Sequence, residues 1–119
     1  MTAEKYLLRG GENVKIRILK PKDIGDVLFD GCTVGIGGAG AGHAVPDLIL
    51  KSMGAHFVKT GHPRDLTLFN PCGLGDNDSK GLNHLAIEGL VKRGIGGFWG
   101  NAPKMVKLAL EYLDLTAIP

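Results

Sequence analysis

Strand-like and helix-like segments alternate along this chain, and each of the strand-like ones leads into glycine or proline. The apolar run "CTVGI" (32–36) enters "GGAGAGHAVP", "DLTLFN" (65–70) enters "PCGLGD", and "KRGIGGFW" (92–99) enters "GNAP". Between them lie segments with apolar residues near the helical period. In "PDLILKSMGAHFVKT" (46–60) these are Leu48, Ile49, Met53, Ala55 and Phe57. In "GLNHLAIEGL" (81–90) they are Leu82, Leu85, Ala86 and Leu90, and in "NAPKMVKLALEYL" (101–113) they are Val106, Ala109, Leu110 and Leu113. Asn101 is a candidate N-cap there, with Pro103 in the first turn. A short helix over 21–29, opened by Pro21, precedes the series, and "LDLTAI" (113–118) reads as its last strand.

Such an alternation through short connections predicts a parallel sheet with right-handed crossovers. The expected fold class is α/β: a three-layer, Rossmann-like open parallel sheet with helices on both faces. It occupies residues 14–119, and residues 1–13 form a lead-in. In such sheets ligands sit beyond the carboxyl ends of the strands, where the strand-to-helix loops gather. All three loops there, 37–45, 71–81 and 97–102, are glycine-rich. The chain holds 19 glycines, roughly double the typical ~7%. Tight turning at strand ends is the plain alternative for so much glycine.

Charge and composition exclude several classes of function. A net charge of +2 is too small to call for nucleic acid or an anionic membrane as partner. "KIRILKPK" is locally basic at Lys15, Arg17, Lys20 and Lys22, but Val14, Ile16 and Ile18 alternate with the charges as on a solvated strand. No apolar run approaches the ~18 residues of a membrane span, and the N-terminus lacks a signal-peptide pattern. Cys32 and Cys72 show neither metal spacing nor a disulfide framework. Free thiols in a cytoplasmic protein are the expectation.

The first loop invites three chemical readings. Gly35, Gly37 and Gly40 fit the dinucleotide fingerprint G-x-G-x-x-G. The context does not: His43, Ala44 and Val45 delay the helix to Pro46, and the second strand ends in Phe69-Asn70-Pro71 without the ribose-binding acid. A P-loop fails because His43-Ala44 replaces the Lys-Ser/Thr pair that grips phosphate and Mg²⁺. The histidines His43, His56, His62 and His84 have no metal-ligand spacing, so no metal is expected. Cys72 follows a strand but has no activating neighbour in sequence. None of the glutamates, Glu4, Glu12, Glu88 and Glu111, falls in a loop on the ligand face. The residues alone therefore give a glycine-lined ligand face without a nucleophile, a metal or a phosphate grip.

Three stretches, "DGCTVGIGGAGAGHAVPDLI", "TGHPRDLTLFNPCGLGD" and "KGLNHLAIEGLVKRGIGGFWGNAPKMVKLALE", together resemble the N-terminal portion of family I coenzyme A transferases. The acetate/propionate branch is the nearest in pattern, through "TGHPRDLTL", "GLNHLA-EGLVKR" and "W-x-x-APK". The resemblance implies transfer of CoA from an acyl-CoA to a free carboxylate through glutamyl anhydride and glutamyl-CoA thioester intermediates, with CoA as substrate and no other cofactor. It also implies that the glutamate nucleophile lies in a C-terminal half absent here, so no catalytic residue is assigned. The chain is then an inactive fragment needing that half or a partner subunit, and the complete enzyme is expected to be a homo-oligomer.

By the same analogy Gly37, Gly38, Ala39, Gly40, Asn70, Gly73, Trp99 and Gly100 line the acyl and CoA site. Ala39 departs from the family, where a phenylalanine commonly follows the glycine pair, and Trp99 suits plain core equally well. A non-catalytic Rossmann-type nucleotide or acyl-CoA-binding module, or a truncated remnant, stands as the alternative.

Overall fold

The computed structural model describes residues 3–7, 13–41 and 44–118, with side chains described from residue 18 onward. Strands β1 (Ala3–Leu7) and β2 (Asn13–Arg17) pair antiparallel, in register from Ala3↔Arg17 to Leu7↔Asn13. The lead-in expected over residues 1–13 thus contains a strand. A 3-10 helix, Pro21–Asp26, stands where a helix over 21–29 is expected. The sheet proper follows: β3 (Thr33–Gly35), α1 (Asp47–Thr60), β4 (Leu66–Asn70), a second 3-10 helix (Leu82–Leu85), β5 (Val91–Gly96), α2 (Pro103–Ala109) and β6 (Asp114–Ala117).

The four strands β3-β4-β5-β6 lie in chain order and pair parallel throughout, which is the α/β parallel sheet expected from the sequence. Adding each strand to the same side through a right-handed crossover puts the connections on one face. The described helices accordingly form one layer. The first 3-10 helix packs on α1, α1 on the second 3-10 helix, and that helix on α2. Beneath them sit Val34, Leu68, Gly94 and Leu115, in one row across the four strands. The opposite face carries the rows Thr33, Thr67, Arg93, Asp114 and Gly35, Phe69, Ile95, Thr116. Among the described residues no helix covers it, and Phe69 is 44% exposed.

Two helical segments depart from their sequence expectation. The apolar spacing over 81–90 yields only the short 3-10 helix Leu82–Leu85. Leu82, Leu85 and Leu90 are fully buried, so the pattern records burial and not a helix. Glycines with left-handed backbone, Gly81 (φ 68°) and Gly89 (φ 91°), bracket the segment and stop a longer helix.

In α1 the packed stripe is Leu50, Met53, Gly54 and Phe57, while Leu48 is 63% exposed. Gly54 sets this phase, because a Cβ there would strike the carbonyl oxygen of His84. In α2 the buried side chain is Met105, and Leu110 is 81% exposed. The expected N-cap Asn101 gives way to Ala102, whose side chain cannot cap. Asn83 takes over that role: its Oδ1 accepts the Lys104 N–H at 3.0 Å while its Nδ2 donates to the Lys80 carbonyl at 2.8 Å. A single buried carboxamide therefore fixes both the second 3-10 helix and the start of α2.

Trp99 closes the far end of the core. Its ring lies against Gly94 and Gly96 of β5, and its indole N–H donates to the Thr116 carbonyl of β6 at 3.1 Å. A Cβ at Gly94 would stand 2.6 Å from Trp99 Cη2 and 2.7 Å from a Leu115 methyl. Gly94→Ala is therefore expected to destabilise the fold by about 1–3 kcal/mol through overpacking, read as a lower urea midpoint. An unchanged midpoint would show that Trp99 is free to shift.

Candidate functional site

The site builds up at the carboxyl edge of the sheet, where the loops after β3 and β4 meet. Leaving β3, the chain continues along β4 for one more hydrogen bond, Ile36 N–H to the Phe69 carbonyl at 2.8 Å. The loop then turns through Gly38 (φ 126°) and Gly40 (φ 83°), conformations that favour glycine. Gly40 exchanges two backbone bonds with the neighbouring loop. Its N–H donates to Gly73 at 2.9 Å, and its carbonyl accepts from Gly75 at 3.2 Å. This makes a parallel bridge Gly40↔Leu74 beyond the strand ends, with Leu74 fully buried under it. Ala39 is held as well, its N–H donating to the Ala44 carbonyl at 3.0 Å. A Cβ on Gly38 would collide with that same carbonyl.

These bonds bear on what the loop can hold. The N–H groups of Ala39 and Gly40 are spent within the protein, so neither is free for a phosphate. Helix α1 begins at Pro46, which has no N–H, and its first residue is the acidic Asp47. A carboxylate at a helix N-terminus suits the helix dipole but repels a second anion. Both features oppose a pyrophosphate seated there.

Asp47 ties the loops to the layer of helices. Its Oδ1 accepts the Gly81 N–H at 2.8 Å and meets His84 Nε2 at 2.9 Å. The Gly81 N–H, with His84 in support, holds the Asp47 carboxyl below its ordinary value of 3.8 against the opposing effect of burial. Asp76 acts within its own loop, where one carboxylate oxygen accepts the N–H groups of Asp78, Ser79 and Lys80 at 2.8–3.0 Å. Those donors, Lys80 foremost, lower its pKa too. Between the two carboxylates lies a cavity of about 140 Å³ lined by Ala41, Val45, Asp47, Asp76 and Lys80, with Gly75 and Gly81 at its floor.

Of the residues expected to line a site, Gly37, Gly38, Ala39, Gly40 and Gly73 belong to this pair of joined loops. Gly37 is exposed, with open space where a Cβ would stand. Asn70 is fully buried at the end of β4; its Nδ2 donates to the Cys72 carbonyl at 3.0 Å, and its Oδ1 has no partner. Gly73 lies against the Asn101 carboxamide, whose Oδ1 is likewise buried and unpartnered. Gly100 is exposed and faces the Phe98 ring, whereas Trp99 is only 8% exposed and turned into the core.

Sequence reasoning passed over Asp47, Asp76 and Asn83, and weighed His84 only as a metal ligand. "DNDSK", an Asp followed by small polar residues, is a signal for the Asp76 turn. Asp47 and Asn83 bond across 34 and 21 positions, where no local pattern points. Cys72 is exposed in the loop, and no group of three or more metal-ligating side chains occurs among the described residues.

Fold and loops together define an open parallel α/β unit whose candidate site is the glycine-lined carboxyl edge. Over this unit the chain is related to the CoA-transferases. It is 32% identical over 97 residues to acetate CoA-transferase YdiF of Escherichia coli K12, covering 82% of this chain. To caffeate CoA-transferase of Acetobacterium woodii it is 30% identical over 86 residues, or 72% of this chain. The crystal structure of the E. coli O157:H7 acyl-CoA transferase YdiF, a thioester complex with CoA, matches 85% of the chain with a TM-score of 0.80 and 30% identity. The apoenzyme matches 86% with a TM-score of 0.81. No family model matches the chain. The chain spans 18% and 16% of the length of the two enzymes, and 21% of the CoA-bound structure.

Two measurements probe the site. Gly38→Ala should cost about 1–3 kcal/mol, since its backbone and the Ala44 carbonyl both resist a side chain, while Gly37→Ala should leave the melting temperature unchanged. Equal effects at the two positions would contradict the loop geometry. Asp47 has a folded pKa below 3.8, so its stabilising bonds are complete above that pH and are lost as pH falls through the lower folded value. Asp47→Asn should therefore flatten the acid limb of stability in urea titrations run below about pH 4. An unaltered slope would remove the carboxylate from its assigned role.

Proposed function

We propose that this chain forms the N-terminal part of an acyl-CoA:carboxylate CoA-transferase. Its joined glycine loops would border the acyl end of the substrate. What supports this most is the combination of 30–32% identity and a TM-score of 0.80 across more than four fifths of the chain. That stretch includes the loops after β3 and β4. In this reading Gly37, Gly38, Ala39 and Gly40 bring backbone close to the thioester, with Asn70 at the end of β4 and Gly73 and Gly100 on the neighbouring loops. Trp99 acts from behind, by keeping the β5 end in place. Ala39, with its small side chain, leaves the acyl pocket wide at that point.

The nucleophilic glutamate comes from polypeptide outside this chain, so the 119 residues alone do not transfer CoA. The uncovered sheet face with Phe69 and Ile95 suits packing against that remaining part. The assembled enzyme would be a cytoplasmic homo-oligomer acting on short-chain acids, with CoA as its only nucleotide-bearing substrate and no metal.

A chimera tests the reading: residues 14–119 replace the matching segment of the E. coli acetate CoA-transferase YdiF. The expected outcome is exchange of CoA between acetyl-CoA and a free carboxylate, with none from the isolated chain. A chimera with the circular dichroism and melting behaviour of its parent, yet no exchange, would overturn the proposal.

A further inference from the structure

The face of α1 that looks toward the first 3-10 helix gathers cations. A cavity of about 230 Å³ is lined by Lys22 of that helix and by Ser52, Ala55, His56 and Lys59 of α1. Two elements distant in sequence thus contribute basic groups to one depression. Contact between them is close: Gly25 lies so near the His56 ring that a Cβ there would overlap the imidazole. The missing side chain lets the ring settle against the 3-10 helix and fixes it at the cavity wall.

Like charges brought together repel, and a fold usually answers with a carboxylate. Among the described residues it does not. Asp23 and Asp26 are on the same 3-10 helix, yet neither pairs with a described cation, and the described ion pairs are elsewhere, at Asp30–His62 and Asp47–His84. Lys51, the other charged residue of the middle of α1, adds a further positive charge. The Ser52 hydroxyl donates to the Leu48 carbonyl at 2.8 Å, a bond inside the helix that a stronger acceptor in the cavity can replace.

We propose that this cavity is a binding site for a phosphate-bearing anion, separate from the glycine-loop site. Two lysine ammonium groups supply strong but undirected attraction, as suits the spread charge of a phosphate or diphosphate. The imidazole and the hydroxyl supply directed donors. Along α1, His56 and Lys59 lie nine and twelve residues past Asp47, roughly 14–18 Å from the carboxyl edge of the sheet. The site therefore lies apart from the glycine loops, toward the other end of α1. Its occupant would join the first 3-10 helix to the end of α1 by bridging Lys22 and Lys59.

The test uses the full 119-residue chain and does not depend on CoA transfer. Inorganic pyrophosphate and phosphate are titrated in separate experiments by calorimetry and by amide chemical-shift mapping. CoA is the third titrant, to distinguish free phosphates from a nucleotide-borne one. Binding that shifts the amides of residues 22, 52, 56 and 59, and weakens at least tenfold in the double variant Lys22→Gln/Lys59→Gln, is the expected result. Added salt should weaken it further. Both lysines are exposed, so the variant should keep the wild-type dichroism spectrum. Absence of binding, an affinity unchanged in the variant, or shifts confined to the glycine loops would each overturn the site.

Discussion

The pair of backbone bonds that Gly40 makes with Gly73 and Gly75 is what the carboxyl edge of this molecule depends on. Parallel strands normally part company at their ends, and their loops go separate ways. Here the ladder between β3 and β4 is resumed after a short gap, across the bridge Gly40↔Leu74. The two loops are therefore tied to each other by backbone bonds. Leu74 is drawn under the bridge into the core, so the apolar effect and the hydrogen bonds secure the same point. Any ligand at this edge meets a surface where the N–H groups of Ala39, Gly40 and Gly75 are already committed, and must be recognised by the groups that are left.

The sheet shows a division of labour between its two faces. On the covered face, glycine at positions 94 and 96 makes room for the Trp99 ring, and a wide aromatic fills what two aliphatic side chains would have filled. On the other face, Phe69, Ile95, Thr67 and Thr116 form a mixed surface. Parallel sheets are ordinarily covered on both faces. The relatives are about five times longer than the aligned segment, and a parallel sheet in such a protein has material available for a second layer.

Much of the architecture was readable from local pattern. β3, β4, β5, β6 and α1 fall within a few residues of their expected positions, because glycine or proline marks at least one end of each. Gly61, left-handed at φ 75°, ends α1 where the glycine after Thr60 says it should. The segment 81–90 misleads because apolar spacing reports which residues are buried, whatever backbone carries them. The phase of α1 misleads because Leu48, Ile49 and Leu50 are interchangeable until the partner surface is known; only the contact of Gly54 with His84 settles it. For the site, the glycine loops were visible and their mutual pairing was not. Neither were the bonds of Asp47 and Asn83, since each joins positions that become neighbours only in the folded chain.

Trp99 is the single tryptophan of the chain, and its indole N–H is bound to the backbone of the outermost strand, at Thr116. Its fluorescence is therefore a local instrument. Emission from this ring reports whether β6 is seated on β5, before and apart from any loss of the central strands. The chain thus carries its own optical signal for the seating of β6, a signal that any partner packed on that strand would alter.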